Sequence, residues 1–327
     1  LISGLVDLHK SAYSMQTFSI LDSKAEYNSG NSIPAAGLDP SHINVTDINI
    51  RLDSIYYAGN RIEANINEFL MKERSGLEIV STKGKLLTSD EQISIPKIEI
   101  KTLDSYISLN ALADFSISNI NNDSGISARL IADIGKNDLV KFVPDLPEEF
   151  LKDFPPAPLQ VRAGIDGSIN SLRLTTLSIG IPEHIKLISD GYIDNALDSA
   201  NMKAQLNMNM EFPDTRFLRS LLGTAVIPSD MTITGSAGII KDSINANMSI
   251  NQGGGTVNLN AGYFTGNDSY FSEIDIKELD LHNFMPADSL FGITANISAH
   301  GKGLDFTSPE TDVNLSAAIS HFQYAKH

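Results

Sequence analysis

The sequence predicts an all-β protein, built as an elongated, curled antiparallel β-sheet with an apolar lumen and a few short helices. Three observations predict it. Apolar and polar residues alternate over run after run, which is the two-residue period of a half-buried strand. Polar turn residues separate the runs at intervals of about 8–12 residues, as in a meander of antiparallel strands. Helical patterning is confined to three short pieces.

In chain order, alternation marks strands at 43–52, 93–100, 172–181, 202–210, 244–250, 257–261, 293–299 and 313–319. Between them stand Asn28-Ser29-Gly30, Asp123-Ser124, Asp198-Ser199, Gly253-Gly254-Gly255 and Gly266-Asn267-Asp268. These residue types suit tight turns because Gly and Asn tolerate positive φ, while Asp and Ser side chains bond nearby amides. The helical pieces are 138–154, interrupted by prolines; 214–222, with Asp214 as N-cap and Gly223 as stop; and 281–290, broken by Pro286.

The leading residues of these pieces, Asp138, Asp214 and Asp280, are 76 and 66 positions apart. A strand ending in glycine follows each piece, at 159–167, 231–238 and 293–301, and an Asp-Ser turn precedes each. This punctuation predicts a structural repeat of about 70 residues, stacked as a quasi-one-dimensional array. The organisation expected is an N-terminal β-rich segment at 1–110, strands plus a short helical linker at 111–158, β repeat units at 159–230 and 231–292, and the start of a further repeat at 293–327.

Composition narrows the function classes. The 327 residues include 40 Asp plus Glu against 24 Lys plus Arg, a net charge of −16, and 42% are apolar. The apolar content supports a core, and the acidic balance opposes nucleic-acid binding, which needs a basic stripe. Without cysteine there is no disulfide, thiolate nucleophile or zinc knuckle. No apolar run is long enough for a membrane-spanning helix. The chain opens at Leu1 and closes at His327 within a strand pattern, so it is expected to be a piece of a longer protein. Aromatic residues are only 7%, a thin lining for a sandwich core, and this favours a sheet curled around an apolar trough.

Catalytic and metal-binding patterns do not emerge. His9, His42, His184, His282, His300, His321 and His327 are scattered, and none pairs at i,i+4. Forty carboxylates offer no favoured pair for glycoside hydrolysis. The 20–25-residue coil period of a parallel β-helix enzyme is absent. Gly253-Gly254-Gly255-Thr256 opens a strand rather than a helix, so it reads as a hairpin turn and not a phosphate loop. Lys83-Gly84-Lys85 reads as a solvated turn, and Met202, Met208, Met210 and Met248 as strand residues filling an apolar face.

Several segments carry a resemblance. Phe18-Ser-Ile-Leu, Ala25-Glu-Tyr27, Gly37-Leu-Asp-Pro-Ser-His-Ile43, Asn49-Ile-Arg-Leu52, Glu73-Arg-Ser-Gly-Leu77, Ile95-Pro-Lys-Ile-Glu-Ile100 and Thr102-Leu-Asp-Ser105 belong to it. Downstream, Gly167-Ser-Ile-Asn-Ser-Leu-Arg-Leu174 and Leu187-Ile-Ser-Asp-Gly-Tyr-Ile193 continue it. Together they resemble the Bacteroidetes branch of the TamB family of translocation and assembly module proteins, within the AsmA-like superfamily of bridge-like lipid-transfer proteins. The resemblance implies a periplasmic β-taco, or repeating β-groove, anchored in the inner membrane by a helix outside this stretch. It implies an outer-membrane Omp85-type partner, reached through regions also outside it, and roles in phospholipid movement and outer-membrane protein assembly.

The reading that results is a non-enzymatic scaffold with no cofactor, whose groove carries phospholipid acyl chains. The residues expected to line the groove are Val45, Ile95, Ile100, Leu174, Leu206, Met248, Leu259, Ile276, Ile297 and Leu315. Ser54, Ser199, Ser243 and Ser289 each follow Asp and precede a small or aliphatic residue, a pattern similar to the O-glycosylation acceptor of Bacteroidetes periplasmic proteins and also ordinary turn chemistry. The alternatives are a repetitive β surface protein or adhesin, for which Tyr56-Tyr57 and Tyr263-Phe264 are the candidate contacts, and, ranked lower, a polysaccharide-active parallel β-helix enzyme.

Overall fold

A computed structural model describes residues 12–29, 33–115, 123–222, 226–303, 305, 308 and 311–325. The described residues contain seventeen strands, and the chain divides into two compact units. One comprises Leu1–Leu146 and Pro156–Ile169, the other Pro147–Pro155 and Asn170–His327.

The strands of the first unit are β1 (Ala12–Asn28), β2 (His42–Ala58), β3 (Arg61–Glu73), β4 (Glu78–Thr88), β5 (Ile93–Thr102), β6 (Tyr106–Ala113), β7 (Gly125–Ile134) and β8 (Leu159–Ser168). Each pairs antiparallel with the next in sequence, from β1–β2 to β7–β8. The second unit holds β9 (Ser171–Ile181), β10 (Ile185–Asp194), β11 (Lys203–Phe212), β12 (Met231–Ile240), β13 (Ser243–Gln252), β14 (Gly255–Phe264), β15 (Ser269–Asp280), β16 (Leu290–Lys302) and β17 (Asp312–Tyr324). These pair in the same serial way from β9–β10 to β16–β17. The all-β fold expected from alternation is the fold observed, and seven of the eight alternating runs lie within strands, while the eighth, 202–210, starts one residue before β11.

Tight turns keep the meander in phase. Gly253-Gly254 joins β13 to β14, with Gly253 at φ +58, a conformation that costs glycine nothing sterically. Lys241-Asp242 joins β12 to β13 in the same way, although Lys241 at φ +55 has no such freedom. The ladders on either side hold it there. Lys83-Gly84-Lys85 is not a turn. It lies inside β4, because a glycine is needed where the backbone presses on β5: a Cβ at Gly84 would meet Ile98 at 2.6 Å.

The helices are α1 (Lys136–Phe142), α2 (Glu148–Asp153) and α3 (Arg219–Leu222), the last entered through a 3-10 turn at Arg216–Leu218. The expected 281–290 helix is a single 3-10 turn, Leu281–Asn283, and β16 begins at Leu290. Pro286 has no amide proton to extend it. Asp214 and Asp280 accept the backbone amides of Arg216 (3.1 Å) and His282 (3.0 Å), so both start their turns as Asx residues do. Gly223, the expected stop, lies outside the described residues.

Asp138 does something else. It is 1% exposed and accepts hydrogen bonds from the Thr102 hydroxyl, the Ser105 hydroxyl (2.7 Å) and Lys141 Nζ (3.0 Å), tying α1 to the β5–β6 turn. Burial opposes its ionisation, but the hydroxyls and the ammonium together hold the carboxyl below the ordinary aspartate range. The Gly37–His42 segment docks beside it. Leu38 N donates to Lys141 O at 2.7 Å, and Gly37, at φ +72, brings the backbone so close that a Cβ would lie 2.6 Å from the same oxygen. Asp39 then accepts from the Ala35 and Ser41 amides and from His42 Nδ1, which lowers its carboxyl to about 2.

In the second unit the buried apolar residues gather at one end of the strands. Phe150 of α2, Phe154 and Phe217 pack with ring centroids 5.6–5.9 Å apart, and His184 lies 5.8 Å from Phe217. Ile181, Phe212 and Met231, at the adjacent strand ends, are also buried.

Three stability outcomes follow. Asp138→Ala should cost roughly 3 kcal/mol in urea unfolding, because it strips a buried network of its acceptor. The pKa of Asp138 is depressed in the folded state, so its contribution is complete above an unfolded value of about 3.9 and is lost as pH falls through the folded one; Asp138→Asn should flatten that acid limb. Phe217→Ala, at a site 4% exposed, should cost roughly 3–5 kcal/mol in the same assay.

Candidate functional site

Serial pairing stacks side chains into rows that cross the strands. In the second unit, one row runs Leu177–Ser189–Met208–Gly235–Met248–Leu259–Ile274–Ile297–Ala317. The next, two residues along each strand, is Ile179–Leu187–Met210–Ile233–Ile250–Val257–Ile276–Ala295–Ile319. On the other side come Leu174–Gly191–Leu206–Ala237–Ala246–Ala261–Ser272–Ala299–Leu315 and then Leu172–Ile193–Ala204–Ile239–Ile244–Tyr263–Tyr270–Gly301–Val313. All four rows belong to one face, since side chains two apart point the same way, and in β9 a bulge at Thr175-Thr176 brings Leu174 to the side of Leu177. That face is apolar across nine strands.

No second layer covers it among the described residues. Of the four rows only Ser189 and Ala295 are buried, and the Ser189 hydroxyl donates to Asn207 O at 2.6 Å. The rest are half-buried or exposed, and exposure rises along β17, where Leu315 is 69% exposed. In a sandwich these positions would be the core. An apolar surface of this extent is uncommon on a folded monomeric chain.

Seven of the ten expected lining residues fall on it. Leu174, Leu206 and Leu315 share one row; Met248, Leu259 and Ile297 share another; Ile276 is in a third. The other three lie in the first unit. Ile100 sits in the row Thr82–Ile100–Ile107–Ala132–Val161, and Ile95 in Ile95–Ala111–Ala128–Ile165. Five positions separate Ile95 from Ile100, yet they share a face because a bulge at Pro96-Lys97 resets the phase. Val45, 8% exposed, is opposite the buried Glu73, whose carboxylate bonds the Ser75 and Asn44 amides.

Ile233, Ile250 and Ile274 belong to the same rows but were missed by sequence reasoning. Ile250 ends an alternating run, and the signal there was sufficient. Ile233 is followed by Gly235 in β12, and Ile274 shares β15 with Phe271, which is on the opposite face. Gly235 itself is forced: a Cβ would come within 2.5 Å of Asn247 O and 2.9 Å of Met248 Cγ.

The opposite face is polar. It carries a furrow of about 860 Å³ between two rows, Ser236–Asn247–Asn260–Glu273–Ser298–Ser316 and Thr234–Ser249–Asn258–Asp275–Asn296–Ala318. Phe264 is on this side with Phe271, centroids 6.3 Å apart, whereas Tyr263 faces Tyr270 on the apolar side. Tyr57 pairs with Tyr13, and Tyr56 lies under the Arg61 guanidinium at 5.1 Å. Ser54, Ser199 and Ser289 are exposed, while Ser243, at the start of β13, accepts from Asn245 Nδ2 at 2.9 Å.

Among the described residues no group of three or more His, Cys, Asp or Glu side chains is placed to hold a metal ion, and no helix is long and apolar enough to cross a membrane. The apolar face should bind a polarity-sensitive dye such as ANS in the native protein. Leu259→Asp should reduce that fluorescence well below wild type, and Asn258→Asp, one residue away on the polar face, should leave it unchanged. No protein-family model, no curated protein and no solved structure matches this chain.

Proposed function

We propose that this chain is a non-enzymatic periplasmic scaffold whose apolar sheet face forms a groove for phospholipid acyl chains, carrying them between inner and outer membranes and supporting outer-membrane biogenesis. The observation that carries the reading is the nine-strand apolar face, which no second layer covers among the described residues. A lipid tail exposes methylenes to water at about 0.8 kcal/mol each, so a sixteen-carbon chain would face a barrier of roughly 12 kcal/mol unaided. A face of Ile, Leu, Val, Ala and Met offers the tail an apolar path while the headgroup stays in water. Burial is non-directional, so a lining of near-uniform chemistry stabilises successive positions about equally and lets the tail slide. Such a device needs no catalytic group. An inner-membrane anchor and an outer-membrane Omp85-type partner belong to the same proposal, through regions beyond this stretch.

A second reading, a repetitive β-rich binding protein for a glycan, is favoured by one feature: the furrow whose lining joins hydroxyl, amide and carboxylate side chains of the polar face with the Met248, Leu259, Ile274 and Ile297 row between them. In-cell photocrosslinking separates the two. Probes at Leu259 and Leu174 should form lipid adducts, and probes at their neighbours Asn258 and Arg173 should not. Protein adducts at the first pair would indicate chaperoning of outer-membrane proteins instead; glycan adducts at Asn258 alone would favour the second reading. Leu259→Asp should impair phospholipid transfer in the full-length protein while Asn258→Asp is tolerated, and equal effects would overturn the groove assignment.

A further inference from the structure

The two lysines of Lys83-Gly84-Lys85 sit in β4 with their side chains on the side of the first unit's sheet opposite Thr82 and Ile100, and pairing with β5 surrounds them with more positive charge. Lys85 is directly opposite Lys97, Lys83 is opposite Glu99, and Ser81 is opposite Lys101. Lys101 is in turn opposite Tyr106 on β6, its Nζ 6.0 Å from the ring centroid. Like charges facing each other across a ladder destabilise it. In a chain with 40 acidic and 24 basic side chains, relief by a nearby carboxylate would be the ordinary arrangement.

That relief is partial: Glu99 attracts Lys101 and Glu63 attracts Lys85, but neither lysine comes within ion-pair distance of its carboxylate. Glu99 is the one carboxylate in the cluster, and it is engaged by the Tyr106 hydroxyl at 2.6 Å and by Lys97 Nζ at 2.9 Å. The Tyr106 hydrogen bond, followed by Lys97, holds Glu99 below its ordinary range. Glu63, across from this region on β3, is taken by Arg61 at 2.7 Å. Lys83, Lys85 and Lys101 make no ion pair among the described residues. A cavity of about 530 Å³ opens beside Lys83 and Lys101, lined by these two with Ser81, Glu99 and Tyr106.

We propose that this cavity is an oxyanion site that takes a phosphate group. Lys83 and Lys101 supply the charge from opposite strands, as lysine does for phosphate wherever a point charge suffices. The Ser81 hydroxyl adds a neutral donor beside them. Lys85 and Lys97 raise the local potential, and the Glu99–Tyr106 pair forms a fixed wall. The site belongs to the first unit, on the side of its sheet opposite Ile100 and Ile107, so it stands whether or not the second unit's apolar face carries lipid. The phosphate belongs to a soluble compound or to an anionic lipid headgroup, which share this chemistry.

The test is calorimetric titration of the chain with inorganic phosphate, against chloride at matched ionic strength. Saturable binding is expected, weakened at least about tenfold in the Lys83→Gln/Lys101→Gln double variant, which loses two charge-assisted contacts. Lys277→Gln, which removes a polar-face lysine paired with Asp275, should bind like wild type. Circular dichroism checks the fold, and Lys101→Gln alone, at an exposed position, serves if the double variant is unfolded. Flotation with phosphatidylcholine vesicles, with and without phosphatidylglycerol, then names the source. Lysine-dependent flotation with phosphatidylglycerol supports a headgroup, and phosphate binding without flotation supports a soluble ligand. Absence of saturable phosphate binding, or equal binding by wild type and the variants, would overturn the proposal.

Discussion

Everything on the second unit's apolar face depends on one constraint: neighbouring strands must keep the same two-residue phase. From β10 to β15 five consecutive ladders run without a register shift. Side chains on a strand alternate between faces, so a slip of one residue at any of these ladders would turn the whole of the next strand over. Asn247, Asn258 and Asp275 would then stand where Met248, Leu259 and Ile274 now stand. The two-residue turns at Lys241-Asp242 and Gly253-Gly254 protect the phase, because they leave no slack for a slip.

Where phase is broken, the break restores the apolar face rather than losing it. Pro96-Lys97 sets Ile93 and Ile95 on the same side as Ile98 and Ile100. In β15 the bulge at Lys277-Glu278, with Glu278 at φ +47 and its amide bonded to Thr294 Oγ1, returns Leu279 to the side of Ile276. A bulge adds one residue and bends its strand, so each of these also increases the local twist of the sheet. Phase correction and bending are thus the same event in these strands.

The short helices act at strand ends. In the first unit α1 is fixed by the polar network of Asp138; in the second, the turns around Phe150, Phe154 and Phe217 supply an aromatic core where the sheet has none. The distribution of burial follows. Fully buried apolar side chains of the second unit lie chiefly at that end, and the rows across the middle of the strands stay half-buried. A face of this kind holds its shape through backbone ladders rather than through a packed interior, which leaves its side chains available to a ligand.

The sequence by itself determined the strand class, most of the turns and the apolar face, because all three are written in nearest-neighbour order: period two, Gly and Asx punctuation, and residues two apart sharing a side. It was enough to place Leu174, Leu206, Met248, Leu259, Ile276, Ile297 and Leu315 on one surface. It misread Lys83-Gly84-Lys85, whose glycine answers to Ile98 on another strand, and it overextended the helix after Asp280, which Pro286 stops. Only the tertiary structure decided which strands are opposite one another. That is why Lys85 facing Lys97, Val45 facing Glu73, and the absence of a covering layer among the described residues were not legible: each depends on residues brought together in space, and one-dimensional patterning carries no record of what lies across a ladder.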